Sequence, residues 1–447
     1  MDKLVPIADM PVTWKHWYIA GVASMEQLIG AALSTIVGVI IPLILYIGQP
    51  VLSPFDQGLL GAAGLLGIAV GSMLMGALMD SWGYLFLFRL CPALIMAGSV
   101  GVFFSDEVWS IALWLFVAGL GVGGGYSLDS GYISEIMPTK WVSFFVGLAK
   151  ATCALGFVGG ALVGYIALKE DPNAAVWRYL ILFIGALALI TFLLRLRWYQ
   201  SPRWLMERGN TQGAQKAAKE FFGPDAEVLP LKRENSGKTM PWIDMFKGES
   251  LKKVILSGVT WACEGLGVYG FGVFLPILVM ALGLQGDAAT GVPKVIGSVK
   301  TTIFINIFIG AGFALGLAVL RKVNILKLMG WSFIICSAML AILLAGYELK
   351  WPVWISFASF VVFETFLNAG PHLVTYIVPA RIFSVAERGA GTGIATLGGK
   401  VGAVLGVFFM PALLHLGGVE LVLYVSIAVN LLGALITFIY GRSLKLL

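Results

Sequence analysis

Long apolar stretches dominate this chain and constrain what it can fold into. Twelve of them could each cross a lipid bilayer, because a membrane-spanning helix needs about 20 mostly apolar residues. We number them spans 1 to 12, with approximate bounds 17–46, 57–79, 85–104, 109–134, 142–168, 177–198, 252–282, 297–320, 325–346, 352–378, 387–414 and 418–440. Apolar and polar residues do not alternate along them, so helices are predicted rather than strands of a membrane barrel.

The charge content agrees with a membrane protein. Charged residues make up 12% of the 447 residues, whereas a soluble domain usually carries about 25%. We therefore predict an all-α integral membrane protein with twelve transmembrane helices. The four cysteines lie inside spans and show no metal-cluster spacing, so no metal and no other cofactor is predicted.

The placement of basic residues predicts the orientation in the membrane. Twelve of the thirty Lys and Arg residues lie between Arg195 and Lys253. Lysine and arginine concentrate in cytoplasmic loops, so we expect both termini and this central loop to be cytoplasmic, in the cell (inner) membrane. The net charge of +6 is explained by this bias, and no nucleic-acid partner is predicted.

One long polar segment divides the spans six and six. We predict an N-terminal six-helix bundle over residues 1–198, a cytoplasmic central loop with short amphipathic helices over 199–250, and a C-terminal six-helix bundle over 251–447. Within the loop, Thr211 to Phe222 reads as an amphipathic helix that ends at Gly223-Pro224. We expect this helix to be interfacial and to lie on the cytoplasmic face of the membrane.

Two glycine stripes relate the halves of the chain. A shift of 246 residues lays span 5 on span 11, and a repeat of six plus six spans is typical of transporters. Each stripe has four-residue spacing, which places its glycines on one helix face and lets backbones approach closely. The stripes are residues 156, 160 and 164 in span 5, and 398, 402 and 406 in span 11. Static packing and sliding of helices both fit this pattern.

Several motifs resemble the major facilitator superfamily. The turn Gly76-Ala-Leu-Met-Asp80-Ser-Trp-Gly83 is similar to the G-x-x-x-D-R-x-G-R-R signature of that superfamily. Ser201-Pro-Arg-Trp-Leu205 looks like the S-P-R-W-L run of sugar porters and organic-ion transporters. The run from Gly370-Pro-His to Arg381, with the later Gly399-Lys400, resembles the G-P-N-x-x-T-x-x-x-P-x-E run and the later G-K of proton–phosphate symporters.

The resemblance implies two pseudo-symmetric six-helix bundles that transport by alternating access. We also predict gating charges near the ends of spans, at Asp80, Glu135, Arg321, Arg381 and Arg388.

The chain departs from the phosphate symporters at several site positions. Gly125 stands where that family has an aspartate, and His372 where it has an asparagine. Leu115 occupies the position of the usual span 4 arginine. The solute site is therefore expected to differ from theirs.

Charged side chains inside the apolar stretches are the candidate functional residues. A bilayer penalises each by about 2.5 kcal/mol or more, so such residues tend to mark ion or substrate pathways. A carboxylate in an apolar environment can load and release a proton. We predict proton-coupling roles for Glu26, Glu264, Asp129 and Glu364. The alternatives are structural pairing of the acids with Lys150 or Lys400, and a hydrogen-bond anchor at Asp129.

A second set of residues could bind the solute. Lysine and histidine supply positive or donor groups, and aromatic rings can line a cavity. The set is Tyr126, Lys150, Trp261, Tyr269, Asn368, His372, Tyr376 and Lys400. Lys150 lies near one end of span 5, so it could instead extend to the membrane surface.

These observations predict a secondary active transporter rather than an enzyme. No nucleophile–base spacing and no nucleotide-binding G-x-x-x-x-G-K-[ST] run occurs, so a proton gradient is the expected energy source. We predict a monomer that carries a small anionic solute, an organic carboxylate or a phosphate-like ion, together with protons across the lipid bilayer. The alternatives are a proton-coupled sugar or polyol porter, and a drug or metabolite exporter.

Overall fold

The computed structural model describes residues 5–228, 240–286, 290–320, 322–384 and 387–447. Within these ranges, 11 helical stretches are long and apolar enough to cross a membrane. The last stretch contains two spans, because the backbone leaves the helical conformation at Gly417 and Gly418. The prediction of twelve transmembrane helices is confirmed.

The helices extend a few residues beyond most of the predicted bounds. Their apolar centres decide where they cross the lipid, while polar residues continue the same backbone hydrogen bonding past each end. The bounds are Trp14–Ala23 with Met25–Ile47 for span 1, then Pro54–Trp82, Tyr84–Phe103, Val108–Ile136, Val142–Glu170 and Trp177–Arg195 for spans 2 to 6, Gly248–Val254 through Phe271–Ala281 for span 7, Gly291–Val319 and Ile325–Glu348 for spans 8 and 9, Val353–Ala369 with Pro371–Ile382 for span 10, and Arg388–Ser443 for spans 11 and 12.

Spans 7 and 10 are irregular helices. Span 7 contains two π-helical turns, Ile255–Val259 and Leu266–Gly270, with a regular turn between them. Span 10 breaks at Gly370, just before Pro371, because proline lacks the N–H that would continue the helix. π-Helical turns occur frequently at functional sites, and the candidate residues Trp261 and Glu264 lie between the two turns of span 7.

The described chain divides into two compact units. Unit 1 comprises the described residues of Met1–Leu33, Leu66–Gly156 and Ile181–Glu234, and unit 2 comprises those of Ser34–Leu65, Phe157–Leu180 and Asn235–Leu447. Spans 3 and 4 lie wholly in unit 1, and spans 7 to 12 in unit 2. The predicted bundles 1–198 and 251–447 were defined by the sequence repeat, whereas the two units are defined by contacts between residues. The division into these bundles stays a prediction.

Glycines let helices pack backbone to backbone within each unit. In unit 2, a Cβ on Gly402 would lie 2.1 Å from the carbonyl oxygen of Ala262, so span 11 lies directly on span 7. In unit 1, a Cβ on Gly156 would lie 2.1 Å from the carbonyl oxygen of Leu28, so span 5 lies on span 1. Spans 1 and 5 correspond to spans 7 and 11 in the repeat, so the two contacts join corresponding pairs of spans. Each of the two glycine stripes therefore contains a glycine that packs against another helix.

The central segment folds onto the N-terminal segment. The helix Thr211–Phe222 has the predicted bounds and begins at Asn210, whose side-chain oxygen accepts from the N–H of Gly213 at 2.9 Å. Its buried side chains are Ala214, Ala217, Ala218 and Phe221. The two-residue strands Val5–Pro6 and Ala226–Glu227 pair in parallel beside it, and its apolar side packs against Ile7 and Met10. The apolar face of this helix is therefore covered by protein, and its predicted position on the cytoplasmic face of the membrane stays a prediction.

Candidate functional site

A buried ion pair joins spans 1 and 6 in unit 1. Arg195, the last residue of span 6, donates from both terminal nitrogens to the carboxylate of Glu26, and both side chains are 0% exposed. Its Nη2 also donates to the carbonyl oxygens of Val22 at 2.8 Å and Ala23 at 3.1 Å. The ring of Phe88 lies 4.5 Å from the guanidinium carbon. Because removing one partner leaves an unpaired buried charge, breaking such a pair costs about 3–5 kcal/mol.

A second carboxyl group shares this arginine. Asp129 Oδ1 of span 4 lies 3.8 Å from Arg195 Nη2, and Asp129 is 1% exposed. Neither carboxyl oxygen of Asp129 accepts a hydrogen bond from any residue that the structure describes. Two acids thus face one base, and an unpaired buried charge is costly. The cluster Glu26–Asp129–Arg195 therefore has the chemistry to bind and release a proton.

Arg195 is the functional candidate that sequence reasoning missed. By sequence it belongs to the basic residues around the central loop, and the alternative interpretation of the acids paired them with Lys150 or Lys400. For Glu26 the structure gives Arg195 as the partner. Arg195 lies inside the predicted span 177–198, which is the signal that could have added it to the buried charges.

Gly125 provides the space for the carboxyl group of Glu26. A Cβ at this position would lie 2.2 Å from Glu26 Cγ and 2.7 Å from its Cδ, both far inside van der Waals contact. The phosphate symporters carry an aspartate here, which in this chain would clash with Glu26. The departure from that family is thus explained by the acid of span 1.

Tyr126 and Lys150 lie together in unit 1. The Lys150 ammonium is 5.7 Å from the centroid of the Tyr126 ring, and both residues are half-buried. An ammonium over an aromatic face is attracted by the ring electrons. A Cβ on Gly30 would lie 2.3 Å from the Tyr126 hydroxyl, so the tyrosine packs directly on the backbone of span 1. Lys150 is therefore placed on Tyr126 inside the span.

Four buried polar side chains form a chain in unit 2. Asn368 Nδ2 donates to Glu364 Oε2 at 3.2 Å and to the Glu364 carbonyl oxygen at 2.8 Å. Asn368 Oδ1 lies 2.7 Å from His372 Nδ1, and His372 Nε2 lies 3.7 Å from Glu264 Oε1. None of the four residues is more than 5% exposed. The structure thus joins three predicted candidates of span 10 to one of span 7.

The hydrogen bonds of this chain fix where one proton lies. Because the amide nitrogen of Asn368 donates to Glu364, its oxygen must accept, so His372 Nδ1 carries a hydrogen. His372 Nε2 then faces Glu264 either as an acceptor or, if protonated, as a cation. Glu264 and His372 can therefore share one proton, which links the acid of span 7 to the histidine of span 10.

The remaining solute candidates of unit 2 include an aromatic pair. The rings of Trp261 and Tyr376 meet edge to face with centroids 5.8 Å apart. Tyr376 is 39% exposed, while Trp261 is half-buried. A Cβ on Gly399 would lie 2.4 Å from the Trp261 ring, and the next residue, Lys400, is half-buried. Tyr269 lies in the second π-helical turn and is also half-buried.

Comparison with known proteins identifies the family. The profile described as "Sugar (and other) transporter" matches residues 19–444. The chain belongs to this family. It is a multi-pass membrane transporter of the major facilitator superfamily and not an enzyme, as the motifs predicted.

Individual relatives cover nearly the whole transporter. It is 26% identical over 450 residues to the inner membrane metabolite transport protein YgcS of Escherichia coli K12, with 99% of this chain and 95% of the relative covered. It is 24% identical to the glucose transporter GlcP of Staphylococcus epidermidis, with 91% and 92% covered. The partially occluded inward open structure of the E. coli xylose transporter XylE is similar at a TM-score of 0.78 and 17% identity, covering 95% of this chain and 98% of that one.

The S-P-R-W-L run of the transporter docks against the end of span 4. Glu135 accepts from the Tyr84 hydroxyl at 2.7 Å and from the Ser201 hydroxyl. Arg203 Nη1 donates to the carbonyl oxygen of Ser134 at 3.2 Å. Glu135 therefore ties the exit of span 4 to span 3 and to the segment after span 6.

The other predicted gating charges are only partly described. Arg381 lies exposed in the last turn of span 10. Asp80 and Arg388 have backbone positions within span 2 and at the start of span 11, but their side chains lie outside what the structure describes. Arg321 lies outside the described residues altogether.

A further buried charge of the transporter, Glu387, lies before span 11 and was not predicted. It is 4% exposed and accepts from Lys253 Nζ at 3.0 Å, from the N–H of Ser384 at 2.9 Å and from the Ser250 hydroxyl. Burial works to raise the pKa of Glu387, but hydrogen bonds from Ser250, Ser384 and Lys253 outweigh it and lower this pKa to about 2. The carboxylate therefore ties the start of span 7 to the connection between spans 10 and 11.

Among the described residues, no group of three or more His, Cys, Asp or Glu side chains is placed to hold a metal ion. The candidate site offers carboxyl, imidazole, ammonium and guanidinium groups.

Proposed function

We propose that this transporter carries a small solute together with protons by alternating access. The observation that carries the proton coupling is the sharing of one buried guanidinium, Arg195, by the carboxyl groups of Glu26 and Asp129. The cluster is charge-balanced only when one of the two acids holds a proton. A proton gradient could therefore change its charge state, and with it the contacts among spans 1, 4 and 6.

The polar chain in unit 2 provides a second place for a proton. His372 and Glu264 can share one at a separation of 3.7 Å, and Asn368 links them to Glu364. The chain connects spans 7 and 10, the two spans whose helices are interrupted. A change of protonation there would alter contacts beside the irregular segments, where a helix can bend with the fewest hydrogen bonds lost.

The solute that we propose is a small organic anion. Lys150 and Lys400 are half-buried within spans 5 and 11, so their ammonium groups could attract an anionic solute and donate hydrogen bonds to it. Trp261, whose ring lies against Gly399, and its neighbour Tyr376 add apolar ring faces and a hydroxyl group. A carboxylate on a compact polar body would suit both kinds of contact.

A neutral sugar is the second candidate. It is favoured by the description of the family as sugar and other transporters and by relatives named for glucose and xylose. Aromatic rings such as Trp261 and Tyr376 would serve a sugar ring as well as an organic anion. The two candidates differ in whether the lysines contribute charge to solute binding.

Counterflow in proteoliposomes tests the solute class. D-glucuronate and D-glucose form a matched pair of labelled probes, because a carboxylate replaces one hydroxymethyl group; inorganic phosphate is the third probe. We expect glucuronate to exchange faster than glucose. Faster exchange of glucose, with no exchange of glucuronate or phosphate, would make a neutral sugar rather than an organic anion the solute of this transporter.

The charge of Lys400 provides the variant test. Lys400→Arg should keep part of the anion exchange, while Lys400→Met should abolish it. Lys300→Met is the control, since Lys300 is an exposed lysine of span 8 and should exchange anions normally. Full anion exchange by Lys400→Met would remove the lysine from solute binding.

Proton coupling is tested separately with an imposed pH gradient. Acid outside the vesicle should drive accumulation of the exchanged probe, and Glu264→Gln should abolish that accumulation while sparing exchange. Exchange need not change the protonation state of the carrier, whereas net uptake must. Accumulation by the unmodified protein that ignores the pH gradient would refute the coupling.

A further inference from the structure

We propose that the exchangeable proton of the Glu26–Asp129–Arg195 cluster lies on Asp129, and that Arg195 is a positioning residue for which the two carboxyl groups compete. The assignment deepens the proposed proton coupling and rests on it for its role in transport. The location of the proton itself follows from the geometry of the cluster.

The hydrogen bonds of the cluster are distributed unequally between the two acids. Both oxygens of Glu26 accept from the fork of Arg195, the arrangement in which an ionised carboxylate is best stabilised by a guanidinium. Asp129 Oδ1 lies 3.8 Å from Nη2, beyond hydrogen-bond distance. Its two oxygens accept no hydrogen bond within the described ranges.

Charge balance then assigns the proton. One guanidinium neutralises one carboxylate, and a second ionised carboxylate at 1% exposure would be an unpaired buried charge. A neutral carboxyl group costs far less to bury than such a charge. Because Glu26 accepts hydrogen bonds from both terminal nitrogens of Arg195, the acid that stays neutral is Asp129.

Arg195 is the positively charged group that faces Asp129 in the described cluster. The titratable or charged groups described around the cluster are Glu26 on span 1, the Cys91 thiol on span 3, Tyr132 on the same helix as Asp129, and Arg195 on span 6. Arg195 is the only one of these four that carries a positive charge. Among these four groups, Arg195 is therefore the one that can compensate loss of the proton from Asp129.

Deprotonation would redirect the arginine. Nη2 is within 4 Å of both acids, and Arg195 Nε is buried with no hydrogen-bond partner in the described part of the chain. An ionised Asp129 would compete with Glu26 for these donors. Arg195 would then pair with Asp129 of span 4 at the expense of Glu26, so the charge of Asp129 decides which of the two acids is paired with span 6.

Infrared spectroscopy locates the proton without any solute. Purified protein in lipid nanodiscs at neutral pH is compared with and without [4-¹³C]aspartate labelling. A protonated Asp129 should give a carbonyl-stretch band of a carboxylic acid that moves to lower frequency on labelling and disappears in Asp129→Asn. The absence of any band that moves on labelling would overturn the assignment, because the cluster proton would then lie on Glu26 or be missing.

Variants of the arginine test the competition. Arg195→Met should leave both acids neutral, so a second carboxylic acid band appears that aspartate labelling does not move and that Glu26→Gln removes. If Arg195→Met does not fold, Glu26→Gln in the unmodified background gives the same information. There Arg195 should pair with Asp129, and the labelled band should vanish. A labelled band that persists in Glu26→Gln would show that the two acids do not compete, and would overturn the role of Arg195.

This readout separates the inference from the proposed function. A labelled Asp129 band together with uptake that ignores the pH gradient would refute proton coupling and leave the proton assignment intact. Proton-driven uptake without the labelled band would refute the proton assignment and leave proton coupling intact.

Discussion

Glu387→Gln should destabilise the transporter at neutral pH and have a smaller effect in acid. In the folded protein this carboxylate accepts from Lys253, Ser250 and Ser384 at 4% exposure. The substitution keeps the shape of the side chain but removes its charge, and it places an amide group where three donors converge.

The pKa of Glu387 sets the size of the effect. Its value falls from 4.5 to about 2 on folding, and each pH unit corresponds to about 1.36 kcal/mol. The difference of about 2.5 units thus gives about 3 kcal/mol as an upper bound. Lys253 is 16% exposed, so water screens part of the interaction. We expect the substitution to lower the free energy of unfolding by about 1–3 kcal/mol.

The pH dependence has a definite sign. The pKa of Glu387 is lowered in the folded state, so its contribution is fully present above the unfolded pKa of 4.5 and is lost as pH falls toward about 2. By linkage, roughly two fifths of it is gone at about pH 3.5. The melting temperature (Tm) of purified protein in detergent should therefore differ most between the two proteins at pH 7, and the gap should narrow below about pH 4.5.

Glu249→Gln is the matched control. Glu249 Oε1 lies 3.6 Å from the same Lys253 ammonium, but its side chain is 73% exposed. Exposed pairs contribute about 0–1 kcal/mol, so this variant should have nearly the Tm of the unmodified protein. Equal Tm losses in Glu249→Gln and Glu387→Gln, or a Glu387→Gln gap that stays constant from pH 7 to about 3.5, would refute the reasoning.

Three further predictions concern other parts of the molecule. Gly125→Ala should push Glu26 away, since its Cβ would lie 2.2 Å from Glu26 Cγ; we expect about 1–3 kcal/mol of lost stability and loss of pH-driven uptake, and unchanged uptake would contradict the close contact. His372→Asn should flatten the pH profile of exchange between about pH 5 and 8, where histidine titrates; identical profiles would remove the imidazole from the mechanism. Gln215→Ala removes two hydrogen bonds between this side chain and the backbone of Val228, at 2.9 and 3.3 Å, which are worth about 1–2 kcal/mol together. Amide hydrogen exchange at 226–228 should therefore accelerate; unchanged exchange would show that these two hydrogen bonds are dispensable.

Features that depend only on residues close together in the chain were predictable from the sequence. The twelve spans follow from the length and apolarity of single stretches of the chain. Each stretch satisfies its backbone N–H and C=O groups by hydrogen bonds within its own helix. The helix Thr211–Phe222 has its predicted bounds, because the Asn210 cap and the Gly223-Pro224 stop act within one turn. The break of span 10 at Gly370 follows from the proline beside it.

The site was predictable in its parts but not in its pairing. The sequence marked Glu26, Asp129, Glu264 and His372 because polar groups in apolar stretches are costly wherever they are placed. It did not mark Glu387, which lies in a short connection where a charge is unremarkable until Lys253 and two serines are known to converge on it.

The apolar stretches of the sequence are enough to specify twelve membrane crossings and the polar groups that enter them. Helix packing, in contrast, makes Arg195 rather than a lysine the residue that neutralises Glu26, and Gly125 leaves room for this pair. Residues 26 and 195 are far apart in the chain, and nothing local to either one specifies which helix faces will meet. The physical reason is that burial is a property of one stretch, whereas the partner of a buried charge depends on the packing of several helices.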